Sequence, residues 1–150
     1  MAGEPNGRRA KKTATTAGVV ITAVILIASA VLVFVLLTGS KKPPVYTVSG
    51  TSLGISAQFG ETVALSDITG VQLRDTMPDN LKRTNGAALG TILKGNFKSG
   101  GDSMKIYADT SAPPFIYIDT ASGLVIINDQ TADKTRALFR ELQDAIQAAS

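Results

Sequence analysis

Three regimes of hydrophobic patterning follow one another along the chain. From Thr13 to Ser40 no residue is charged, and within that stretch Val19 to Leu37 is apolar except at Thr22 and Ser29. Beyond Pro44 the apolar positions alternate with a period of two, in short runs broken by turn residues roughly every eight to twelve positions. In the last segment Leu138, Phe139, Leu142, Ala145 and Ile146 recur at intervals of three and four. These patterns predict an apolar helix, a β-rich domain and a closing amphipathic helix.

The first regime has the length of a membrane span. Nineteen residues from Val19 to Leu37 rise about 28 Å as a helix, close to the hydrocarbon thickness of a bilayer. The run is rich in Val and Ile, yet in lipid only a helix satisfies each backbone amide within the segment. A cleaved signal peptide is the rival reading, with an apolar core of about 7 to 15 residues and a small-x-small cleavage site. The site available is Ala28-Ser29-Ala30, and cutting there would leave Val31 to Leu37 exposed at a new N-terminus. An uncleaved anchor is therefore expected: a basic tail over residues 1–16, a transmembrane helix over 17–39, a Pro/Lys linker over 40–44 and a folded domain over 45–150. The Gly18-x-x-x-Thr22 spacing is too common to predict helix pairing.

Within the domain the alternation predicts strands at Val45–Val48, Leu53–Phe59, Glu61–Leu65 and Val71–Arg74. Met77 to Asn80 is a loop, because proline and polar residues interrupt a ladder. Ala87 to Lys98 reads as one long strand bent at Gly90 and Gly95, ending in the Gly100-Gly101-Asp102 turn. Met104–Ala108, Phe115–Asp119 and Leu124–Asn128 complete a set of seven or eight strands. Asp129 or Thr131 is placed to cap the final helix, whose polar face carries Lys134, Arg136, Arg140, Glu141 and Asp144. A strongly curved antiparallel sheet leaves an open end that the stripe Leu138, Leu142 and Ile146 would cover.

Charge changes the picture in two ways. Before Pro43 there are six Lys and Arg against the single acid Glu4, whereas the rest of the chain has nine Lys and Arg against eleven Asp and Glu. The sequence pI of about 9.3 thus reflects the flanks of the apolar helix, and nucleic-acid binding is not expected of the domain. Four cations precede the helix and two follow it, so the positive-inside rule predicts a single-pass cell-membrane protein with a cytoplasmic N-terminus and an external domain. The chain has no Cys and no His. Disulfides, Cys/His zinc sites, haem and iron-sulfur ligation, Cys nucleophiles and His general bases are excluded, and no cofactor or metal is expected.

The order of segments resembles the pleckstrin-homology fold, and in particular the bacterial PH-like domains of membrane-anchored proteins. The residues that carry the likeness are Leu65-Ser66-Asp67-Ile68-Thr69-Gly70-Val71-Gln72-Leu73, Arg83-Thr84-Asn85-Gly86, Lys94-Gly95-Asn96-Phe97, and Ile116-Tyr117-Ile118-Asp119 through Ile126-Ile127-Asn128 into the helix. The resemblance implies a mostly β fold, a curved antiparallel β-barrel capped by the C-terminal α-helix, and brings no shared catalytic set. Lipid-binding members use cations around the loop between the first two strands. Here that loop, Ser49-Gly50-Thr51-Ser52, has none, so phosphoinositide binding is not implied.

The polar stretch Arg74 to Gly86 is the candidate binding region, with Arg74, Lys82, Arg83 and Asn85 as its ligand- or partner-contacting residues. A solvated connection, with Asn85-Gly86 supplying a turn and Arg74 paired to Asp75 or Asp67, accounts for the same residues. Asp129 and Asp133 suit the first turn of a helix and lack EF-hand spacing. Tyr107, Phe115, Tyr117 and Phe139 are expected in the core with the hydroxyls at its rim. The expected function is a non-enzymatic interaction module that binds the bilayer through residues 17–39 and takes a peptide, protein partner or small ligand. The alternatives are a structural subunit of a membrane assembly, and a carboxylate-dependent hydrolase or transferase using Asp67 or Asp119.

Overall fold

A computed structural model describes residues 19–35 and 42–149, and the chain divides into two units, residues 1–39 and 40–150. The first contains helix α1, residues 19–35. Taken by itself it is apolar all round, with large side chains from Val19 to Val35 between 53% and 67% exposed. Its Ser29 hydroxyl donates to the Ile25 carbonyl at 2.8 Å, which satisfies a polar group inside the apolar run. Residues 17–18 and 36–39 of the expected span lie outside the described residues, as do the tail over 1–16 and linker residues 40 and 41. Among the described residues no helix is long and apolar enough to cross a membrane.

The second unit is a mostly β domain of two sheets and one helix. Strands β1 (Val45–Val48), β2 (Ser52–Ser56) and β3 (Thr62–Ala64) form an antiparallel sheet of three. A 3-10 turn, Leu65–Asp67, leads into β4 (Ile68–Arg74). With β5 (Lys82–Leu89), β6 (Ile92–Ser99), β7 (Asp102–Asp109), β8 (Phe115–Thr120) and β9 (Gly123–Ile127) it makes a six-stranded sheet in the order β4-β8-β9-β7-β6-β5. Helix α2 spans Ala132–Ala149.

Three expectations are corrected. The expected bent strand at Ala87–Lys98 is a hairpin: Leu89 pairs with Ile92, and Gly90 turns the chain at a φ of 61°. A left-handed glycine between two apolar runs is a hairpin signal as well as a bend signal, and here the ladder on both sides decides. Lys82, Arg83 and Asn85 therefore lie on a strand, and Asn85-Gly86 is within it rather than at a turn. Second, the described residues hold nine strands in two sheets and no closed barrel. Third, the large sheet is mixed, because β9 inserts between β8 and β7 and runs parallel to β7. This central position explains why Val125, Ile126 and Ile127 are all buried, and why the segment is continuously apolar rather than alternating.

Each face of the large sheet has its own core. On one face Tyr107, Ile116, Ile118, Val125 and Ile127 meet Leu53, Ile55 and Val63 of the small sheet and Leu138 and Leu142 of α2. The expected stripe on α2 is thus in place, and Thr131 caps the helix, its Oγ1 accepting from the Lys134 amide at 3.3 Å. On the other face Phe97, Met104, Ile106, Phe115, Tyr117 and Ile126 pack together, joined by Met77 and Leu81. Those two come from the connection over residues 75–81, which leads from one outermost strand of the sheet to the other. Five strand spacings amount to about 24 Å in a flat sheet, and eight residue steps reach at most about 29 Å when fully extended. The connection is long enough to cross the sheet, and Met77 and Leu81 pack against this second core on the way. Tyr117 donates to the Thr76 carbonyl at 2.8 Å and Ser99 to the Asp79 carbonyl at 2.6 Å, fastening the strap at both ends.

Backbones approach closely where β5 and β6 pair. Gly86 and Gly95 face each other in the ladder, and a Cβ on Gly95 would stand 2.5 Å from the Asn85 carbonyl oxygen. Only glycine fits such a crossing.

Candidate functional site

Cross-strand partners point to the same face of a sheet, so the registers decide which polar residues of β5, β6 and β7 are neighbours. Lys82 pairs with Lys98 and Lys98 with Ser103, which gives one row. Asn85 pairs with Asn96 and Asn96 with Lys105, which gives the next. A third row, Ala87, Lys94 and Tyr107, lies beneath the small sheet and the start of the domain. There Lys94 is buried, and its ammonium donates to the Lys42 carbonyl. Burial lowers the Lys94 pKa.

The first core covers this face only down to the second row. Glu61, at the start of the small sheet's last strand, forms an ion pair with Lys105 and marks the border. Past it Lys82, Asn85, Asn96, Lys98 and Ser103 are all exposed, while Phe97 and Met104 between them are buried in the second core. A groove of about 290 Å3 lies along the border, lined by Thr84, Asn96, Ser103, Lys105 and the β8–β9 turn at Ser122-Gly123. The Thr84 hydroxyl donates to the Asn96 carbonyl at 3.1 Å, which holds the bulged part of β5 against β6.

Like charges directly opposite in a ladder repel, at a cost of up to about 1 kcal/mol. Lys82 and Lys98 are such a pair. The ion pairs among the described residues are Lys105–Glu61 and Arg136–Asp133, so neither Lys82 nor Lys98 nor Arg83 has an acidic partner there.

The four residues expected in the binding region are separated by the fold. Lys82 and Asn85 share the polar face described above. Arg83 lies opposite Phe97 and projects from the other face, exposed at the sheet edge. Arg74 belongs to the opposite edge strand, where its guanidinium stacks 4.6 Å from the centre of the Tyr117 ring and its Nε and Nη2 donate to Gln72 Oε1 at 3.3 and 2.8 Å. It makes no ion pair with Asp75 or Asp67. Lys98, Asn96, Ser103 and Lys105 were missed. Their signal was legible as Lys94-x-Asn96-x-Lys98 and Ser103-x-Lys105, polar positions of period two, but it acquires meaning only with the hairpin at Gly90-Thr91.

Asp67 and Asp119 are exposed on the surface, with the Asp67 carbonyl accepting from Ala121 and the Asp119 carbonyl from Thr69. Asp129 Oδ1 accepts from the Gln130 amide at 2.6 Å. Among the described residues no group of three His, Cys, Asp or Glu side chains could hold a metal ion. Tyr107 donates to the Phe59 carbonyl at 2.6 Å, and burial, with the Glu61 carboxylate beside it, pushes its pKa up to about 12. Compared with known protein families, with curated proteins and with solved structures, the chain finds no match.

Proposed function

We propose that this protein is a non-enzymatic interaction module, a PH-like β domain tethered to the cell membrane by an apolar N-terminal helix, with the open face of β5–β7 as its contact surface. The observation that carries the reading is the Lys82–Lys98 pair. A repulsive, solvent-facing arrangement without a partner in its own fold is one that an external ligand relieves.

Support for the tether is the composition of α1 and its surroundings. A helix apolar on every side has no polar face to give to water, and the uncharged stretch runs from Thr13 to Ser40, beyond both described ends. Sedimentation after carbonate washing tests this part: a tethered protein stays with the membranes. Protease treatment of intact cells tests the side, and an external domain is digested. Support for the PH-like likeness is the β domain ending in a helix laid over one sheet face. Support for the interaction reading comes from an exposed surface of Lys, Asn, Ser and Thr that offers hydrogen bonds and charge. Recovery of a partner from detergent-solubilised membranes, above an anchor-only control, tests it. A control-level recovery, or turnover of a substrate lost on changing Asp67 or Asp119, overturns it.

A further inference from the structure

We infer that the open face of β5–β7 docks an extended, acidic segment of a partner protein. The inference rests on the interaction-module reading and adds the chemistry of the partner.

Charge is segregated within the domain. Residues 82–109 hold the five cations Lys82, Arg83, Lys94, Lys98 and Lys105 against the two acids Asp102 and Asp109, while the rest of residues 43–150 holds four cations against nine acids. Neither acid of this stretch answers the open face. Asp102 pairs with Ser99 and so belongs to the opposite side of the ladder, and Asp109 accepts from Ser111 through Oδ1 at 2.9 and 2.6 Å. Glu61 is the acid that reaches the border, and Lys105 holds it. Of the five cations, Arg83 projects from the other face, Lys94 is buried and Lys105 is paired with Glu61, so the open face presents Lys82 and Lys98 without an acid, and its complement is negative.

The kind of cation narrows the ligand. Lysine ammoniums are separate point charges, whereas arginine forks grip a single phosphate or carboxylate in two places. Side by side in one row, Lys82 and Lys98 suit a carboxylate placed between them.

The spacing fits a peptide. Successive rows on one face of a strand are two residues apart, about 6.8 Å. Alternate side chains of an extended chain repeat at the same distance. An extended segment running along β6 therefore brings one acidic side chain to Lys82 and Lys98 and the next to the amides of Asn85 and Asn96. The Thr84 and Ser103 hydroxyls and the groove beside them receive its remaining polar groups.

The test uses the full chain in detergent micelles and a fluorescent peptide of alternating Glu and Thr, read by anisotropy. Lys82→Gln with Lys98→Gln should weaken binding at least tenfold. Lys134→Gln with Arg136→Gln, which removes the same charge from α2, should change it less than twofold. Reversal in Lys82→Glu with Lys98→Glu should transfer the preference to a peptide of alternating Lys and Thr, an outcome that requires a folded variant. Equal losses in both charge-removing pairs, equal binding of a Gln-Thr peptide, or phosphatidylglycerol vesicles captured through Lys82 and Lys98 in preference to the peptide would each overturn the inference. If a membrane partner is recovered equally with and without these two lysines, the acidic-segment inference falls and the interaction module stands.

Discussion

The side-chain amide of Asn128 closes a two-bond ring with the backbone of Asp109. Its Oδ1 accepts from the Asp109 amide at 2.8 Å and its Nδ2 donates to the Asp109 carbonyl at 2.8 Å, with a further bond to the Ala112 carbonyl at 2.7 Å. The side chain thereby continues the parallel pairing of β7 and β9 by one step and ties the β7–β8 connection to it. At 2% exposure, Asn128 has no water to replace these bonds. Asn128→Ala should cost about 3 kcal/mol, since buried backbone groups are left without partners. A thermal melt followed by circular dichroism checks it, and an unchanged midpoint would mean that water fills the gap.

Gly86 and Gly95 let the backbones of β5 and β6 approach closely. A Cβ on Gly86 would stand 2.1 Å from the Lys94 carbonyl oxygen, so Gly86→Ala must push β5 from β6 and spread the rows that carry Lys82 and Asn85. Hydrogen exchange in β5 should accelerate at least tenfold. Gly50→Ala, where nothing lies within 4 Å, is the matched control and should leave exchange unchanged.

Leu142 is fully buried where α2 meets the first core. Leu142→Ala should destabilise by about 3 kcal/mol, through lost burial and the cavity left behind. Glu141→Ala on the exposed face of the same helix should shift stability by less than about 0.5 kcal/mol. Equal effects would place the helix in a different orientation.

All three tyrosines have raised pKa values. Burial is the largest cause for each, reinforced by Asp129 at Tyr46 and by Glu61 at Tyr107, and partly offset by Arg74 at Tyr117. A phenol whose folded pKa exceeds its unfolded value near 10 contributes stability in full below pH 10 and loses it as pH rises through the folded value. For Tyr107 that window is pH 10 to about 12. Lys94, with a lowered pKa, acts in the opposite sense as pH approaches 10.5, so the net loss should show above that point. Absorbance at 295 nm should therefore rise at higher pH than it does for free tyrosine, and the part due to Tyr107 should rise together with loss of the circular-dichroism signal. A reversible tyrosine titration near pH 10 in the folded protein would contradict the burial of that residue.

The continuous apolar run of Phe115 to Ile118, the helical stripe through Leu138 and Leu142, and the turn at Gly100-Gly101 were readable because each depends on neighbours a few residues away. Local patterning also marks the apolar N-terminal run and separates it from the β-rich remainder. The hairpin at Gly90 was not readable, because a glycine between apolar runs permits a bend or a reversal, and only pairing with a distant strand chooses. The candidate site failed in the same place. Sequence placed Arg74 beside Lys82, Arg83 and Asn85 in one polar loop, whereas the intervening strap carries the chain across the sheet.

What the amino-acid order determines by itself is local: a charge-free apolar helix, a β-rich domain without Cys or His, and an amphipathic helix to close it. Tertiary structure alone decided that β9 enters the middle of the large sheet parallel to β7, and that Lys82, Lys98 and Ser103 share a row. Strand order and register arise from burying both faces of one sheet at once, a condition spread over the whole domain that no short window of residues contains.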